Sequence, residues 1–109
     1  MIELVKQNRR AIAELCRRFR VERLDIFGSA VSGRFNPTSS DLDFVACFAN
    51  TRSPGYADRY YDFALALEDL LHRKVDLITE SMIRNPYFRE EIQRSRETIY
   101  DRRGEEMFA

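Results

Sequence analysis

The sequence predicts an α+β domain, with a small mixed β-sheet and helices packed mainly on one face. Three observations predict it. Two long segments carry apolar residues at helical spacing, and three short runs have strand character. The order along the chain is helix, strand, strand, helix, strand, helix, without internal repeats. The 109 residues are 44% hydrophobic, which suffices for one core and not for two. Residues 1–101 are read as the domain and residues 102–109 as a flexible tail.

Val5, Ile12, Leu15, Cys16 and Phe19 recur at helical spacing and predict an amphipathic helix over residues 2–19. The segment is basic, with Arg9, Arg10, Arg17, Arg18 and Arg20 falling mostly on its other side. Glu22–Ser29, ERLDIFGS, is a β-type run stopped by Gly28, and Ser40–Phe48, SDLDFVACF, is a second strand. The segment between them, AVSGRFNPTSS, begins as a short helix and continues as a loop. Thr51–Gly55 forms another loop. A long helix follows, with Tyr56, Tyr60, Phe63, Ala64, Leu67, Leu70 and Leu71 in one stripe. Lys74–Thr79, KVDLIT, is the third strand. Asn85 reads as an N-cap with Pro86 at the first helical position. Phe88, Ile92 and Ile99 are assigned to the apolar side of this last helix.

Eighteen basic and eighteen acidic residues give zero net charge. A protein that binds nucleic acid in bulk is usually basic, so no direct nucleic-acid contact is expected. No apolar run is long enough to span a membrane, and the N-terminus lacks a signal-peptide core. Cys16 and Cys47 lie in apolar patterns and read as buried free thiols. A reducing, cytoplasmic setting is expected.

The second strand carries the chemistry. Side chains alternate across a strand, so Leu42, Phe44, Ala46 and Phe48 share an apolar face. Asp41, Asp43, Val45 and Cys47 share the other. Asp41 and Asp43 then point the same way, about 6.5–7 Å apart at Cα, with no cationic partner nearby in sequence. Mg²⁺ resolves such a repulsion, because it takes one or two carboxylates and completes its shell with water and phosphate oxygens. Asp76, the lone acid inside the third strand, reaches the same pocket if that strand pairs beside the second; a two-metal site then results. Asp25 is a rival acid placed nearer the opposite end of the sheet. Gly28 permits close approach of the backbone to a ligand. Ser29 follows it and offers a hydroxyl and helix-start N–H groups to phosphate oxygens. A phosphate cradle beside a carboxylate-held metal suits nucleotidyl transfer. His72, at the end of the long helix, is read as a helix-end residue rather than a catalytic one.

The stretch FGSAVSGRFNPTSSDLDF resembles the signature of the DNA-polymerase-beta-like nucleotidyltransferase superfamily: Gly-Ser, a spacer (here Ala30 to Ser40), then Asp-x-Asp. The C-terminal NPYFREEIQRSRETIYD, with its Ile99-Tyr100 pair, is similar to that of the minimal nucleotidyltransferases. The resemblance covers nearly the whole chain. It implies the polymerase-beta-like nucleotidyltransferase fold, Mg²⁺ dependence with two ions, and ATP as donor. It implies phosphate binding at Gly28 and Ser29, and metal ligation and catalysis by Asp41, Asp43 and Asp76. It further implies a HEPN-type toxin as partner, a ribonuclease encoded by an adjacent gene, which the chain neutralises as antitoxin by transferring AMP to a tyrosine. Many relatives have a small-Arg-Gly step after Gly-Ser, whereas this chain has Val31-Ser32-Gly33-Arg34. Arg34 is therefore the candidate to meet the triphosphate from a shifted position.

A chain of this size, taken up by its catalytic core, is expected to leave the acceptor to a second protein or a second copy of itself. Tyr56, Tyr60 and Tyr61 or the arginine-rich first helix are candidate interface residues. Two other functions compete. One is a non-catalytic antitoxin that acts by occlusion. The other is a small-molecule nucleotidyltransferase, disfavoured by the missing acceptor domain.

Overall fold

A computed structural model describes residues 2–32 and 41–104. The chain begins with two helices, α1 (Glu3–Gln7) and α2 (Arg9–Arg18), where a single helix is expected. Asn8 makes the break. Its Nδ2 donates to the Leu4 carbonyl at 2.8 Å, and its backbone leaves helical geometry at φ −104°, ψ 12°. A short polar side chain that bonds its own backbone competes in this way with the helix ladder. The ladder resumes at once, as Ile12 N–H donates to Asn8 O.

Strand β1 (Val21–Phe27) leads into the short helix α3 (Ser29–Ser32), as the sequence predicts. Strand β2 (Leu42–Phe48), helix α4 (Tyr56–Leu71) and strand β3 (Val75–Thr79) form a β-α-β unit. Strands β2 and β3 are parallel, which requires a long crossover, and α4 supplies it. α4 ends at His72, whose backbone is left-handed at φ 53° while its N–H still donates to Glu68 O. Arg59 on α4 donates to the carbonyls of Phe19, Ala49 and Asn50, which ties α4 to the ends of α2 and β2. After a 3-10 turn at Glu80–Met82 comes α5 (Pro86–Ser95), and Asn85 caps it by accepting from the N–H groups of Tyr87 and Phe88.

One strand is missing from the sequence reading. Residues Glu97–Asp101 form β4, antiparallel to β1, and the sheet order is β3-β2-β1-β4. Ile99 therefore belongs to a strand and not to the last helix. Helix α5 stops at Ser95, and Arg96 is already extended at ψ 137°. Thr98, Ile99 and Tyr100 favour a pleated surface, and the open side of β1 offers them one. The register shifts between Leu24 and Asp25, so that Ile99 is the extra residue and both Ile99 and Tyr100 join the same core.

The main core lies on one face of the sheet. Leu24, Ile26, Leu42, Phe44 and Leu77 pack there against Ile12, Cys16, Phe63, Leu67 and Leu71. On the other face Phe27 and Val45 meet Ile83 and Ile92, which α5 and its lead-in bring down, with Ile78 packed beside them. Cys16 is buried, and desolvation pushes its thiol well above the ordinary range. Cys47, expected to be buried, is exposed. It lies on the α5 face but outside the cover that Ile83 and Ile92 give.

Candidate active site

Three strand ends and one turn meet at the pole of the sheet where β1 ends and β2 and β3 begin. Phe27, the last residue of β1, pairs with Asp43 on β2, and Asp43 pairs with Asp76 on β3. Adjacent strands lie about 4.8 Å apart, so the two aspartates are direct neighbours on one face. Asp41 stands at the mouth of β2. The parallel pairing of β3 beside β2, on which Asp76 depended, is thus realised, with Leu42 N–H donating to Lys74 O just ahead of the acids.

The glycine turn closes the site. Gly28 has φ +76°, and a Cβ placed there would lie 2.7 Å from Asp43 Oδ2. Only glycine allows the turn to pass this close to the carboxylate. Val31 N–H donates to Gly28 O and starts α3, with Ser29 as its first residue. Behind the turn, Gly28 N–H donates to Ser95 Oγ at 3.3 Å.

The electrostatics agree with the geometry. Asp43 is pushed up to about 6, first by burial, then by the negative charges of Asp76 and Asp41. None of the three acids forms a salt bridge with a described residue. Asp25 is the opposite case. It is fully buried in mid-strand and receives Arg23 Nε at 3.1 Å and Arg96 Nε at 2.6 Å. Its charge is spent in that network, so the rival acid is not available to a ligand. Among the described residues, no three acidic, histidine or cysteine side chains are gathered closely enough to enclose an ion by themselves. Two facing carboxylates beside a phosphate-bearing ligand are nevertheless the donor set that Mg²⁺ ordinarily accepts. Asp43 and Asp76, with Asp41 next to them at the mouth of β2, would offer such a set, with water and phosphate oxygens making up the shell.

Tyr60 was read from sequence as core or interface. It packs against the main core and reaches β3, the strand that carries Asp76: its hydroxyl donates to the Leu77 carbonyl, and burial, then the neighbouring Tyr56, Tyr61 and Asp76, raises its pKa. Tyr56 packs edge-on to Phe48, while Tyr61 is exposed. Gly33 and Arg34 lie outside the described residues. Sequence reasoning missed Ser95, Arg96 and Glu80. No local pattern marks them, since they act only through contacts between residues far apart in the chain: Ser95 with Gly28, and Arg96 with Asp25 and Glu80.

Comparison with known proteins adds three findings. A family model described as the nucleotidyltransferase domain matches residues 9–99. A protein of Methanocaldococcus jannaschii, provisionally named a protein adenylyltransferase, is 29% identical over 91 residues, which is 84% of this chain and 86% of that protein. A solved structure provisionally described as a minimal nucleotidyltransferase is 31% identical, with a TM-score of 0.71, over 88% of this chain and 95% of that one. A more distant likeness, at 18% identity and a TM-score of 0.62, joins 96% of this chain to 80% of a chain in a complex from Shewanella oneidensis. That complex is of a tri-AMPylated HEPN toxin with an MNT antitoxin.

Proposed function

We infer that this chain, which belongs to the nucleotidyltransferase domain family as one of its minimal members, transfers AMP from ATP to a hydroxyl of a partner protein and thereby acts as an antitoxin. The observation that carries this reading is the register at the site. Asp43 and Asp76 face each other across a parallel strand pair while the Gly28 turn lies against Asp43.

In this reading Gly28 and Ser29 seat the phosphates of ATP, and Arg34 adds a cation to them. Asp41, Asp43 and Asp76 hold Mg²⁺, two ions in the full site. The bound metal supplies charge neutralisation for the triphosphate and for the departing pyrophosphate. The acceptor oxygen attacks the α-phosphorus, the bond from that phosphorus to the bridging oxygen breaks, and pyrophosphate leaves with the electron pair. Asp76, at the outer edge of the site, takes the acceptor proton or sits as a ligand next to the attacking oxygen. The acceptor is a tyrosine of a HEPN-type toxin, a ribonuclease encoded by the neighbouring gene. The M. jannaschii name and the AMPylated Shewanella complex support this acceptor class.

The test uses ATP labelled at either the α- or the γ-phosphate, with Mg²⁺ and the partner. Label should pass to the partner from the α-position alone, and Asp41→Asn should lower the rate about 100-fold or more, as loss of a group that stabilises transition-state charge does. Label passing from the γ-position would replace the reading with phosphoryl transfer.

A further inference from the structure

We propose that Ser95 and Arg96, at the end of α5, form the positioning element of this site. Ser95 sets the Gly28 turn, and Arg96 sets the strand that carries Asp76. The inference rests on the nucleotidyl-transfer reading.

The two residues are consecutive, yet they reach three different parts of the sheet. Ser95 Oγ accepts from Gly28 N–H at 3.3 Å and donates to Glu91 O at 3.2 Å, so α5 holds the turn through one hydroxyl. Arg96 Nε donates to Asp25 Oδ2 at 2.6 Å, and its Nη2 donates to Glu80 Oε1 at 2.8 Å. Asp25 lies on β1, and Glu80 directly follows β3. Strand β2 runs between those two strands. Arg96 therefore bridges over β2 on the face that carries Asp43, and it ties β1 to the edge strand.

Among the described residues, edge strand β3 pairs on one side only, and its position sets where Asp76 stands against Asp43. The Gly28 turn has little freedom of its own, because Asp43 Oδ2 already fills the space a Cβ would need. A shift of the turn away from Ser95 would press on or release that carboxylate. Asp25 is the anchor: it is fully buried and accepts from both Arg23 and Arg96, and Arg23 also donates to Thr98 on β4. β1, β4 and the end of β3 are thus joined to the Ser95–Arg96 step.

The two halves separate kinetically. With Ser95→Ala the KM for MgATP should rise about tenfold, the worth of one hydrogen bond, while kcat and the thermal midpoint stay close to wild type. Ser95→Thr keeps the hydroxyl and should restore the KM. Glu80→Ala frees one arm of Arg96 and should lower kcat about tenfold through misplacement of Asp76, with KM unchanged. Amide hydrogen exchange on the nucleotide-free protein gives a readout independent of activity. The Gly28 amide should exchange faster in Ser95→Ala and not in Ser95→Thr. Unchanged KM and unchanged Gly28 exchange in Ser95→Ala would overturn the proposal, as would an equal loss in Ser95→Thr. Binding of MgATP by the wild type, measured by calorimetry without acceptor, separates the two claims. A wild type that binds none overturns the nucleotide reading together with this proposal, whereas equal binding by wild type and Ser95→Ala overturns the proposal alone.

Discussion

Asp43 is held among groups that disfavour its charge. Its folded pKa, raised from 3.8 to about 6, means that the neutral acid is the form the fold prefers. Its contribution to stability is fully present below pH 3.8 and is lost as pH rises through about 6. Asp43→Asn cannot ionise, so it should melt higher than wild type at pH 7.5, and the gap should close as pH falls toward 4. Added Mg²⁺ should narrow the gap at pH 7.5 by stabilising the wild type. Melting curves at both pH values check this, and an Asn variant less stable than wild type at pH 7.5 would contradict it. Asp41 and Asp43 are legible in the sequence because alternation on one strand is a local rule, and Gly28 is legible because a glycine stops an apolar run. Asp25 shows the limit of that reading. It has the same residue type on the same face, and its pairing with Arg23 and with the distant Arg96 removes it from the site.

At the scale of elements, α5 has two tasks: it covers Phe27 and Val45, and it brings Ser95 to the Gly28 turn. Its start depends on Asn85, whose side chain accepts two N–H groups. Asn85→Ala should cost about 1 kcal/mol and lower the melting midpoint by about 4 °C or more. Denaturant unfolding measures the first and a thermal scan the second; no change in either would show that the cap is idle. The Asn-Pro signal made this helix start readable. Its end was not, because the switch from helix to β4 after Ser95 is decided by the open side of β1, a partner about seventy residues away. The break at Asn8 was missed for a different reason: apolar spacing continues through it, and the interruption is a single side chain bonding Leu4 O.

The molecule as a whole puts its larger core on one side of the sheet and its candidate chemistry on the other side, at one end. The parallel β2–β3 pair joins these halves, since α4 packs in the core while the strands it connects present Asp43 and Asp76. No described helix is long and apolar enough to cross a membrane. Composition and periodicity carried the fold class and the acidic pole. The partner and the transferred group were not readable from them, because acceptor recognition has no local residue pattern; they entered through the resemblance of the Gly-Ser and Asp-x-Asp signature. Transfer of AMP from this acidic pole to a protein is open to direct measurement. The most direct measurement is the intact mass of the proposed HEPN-type partner after incubation with this chain, ATP and Mg²⁺, beside the Asp41→Asn variant. The partner should gain one or more AMP units, and the variant should abolish the gain. An unchanged partner mass in a stable complex would contradict it and leave neutralisation by occlusion as the function.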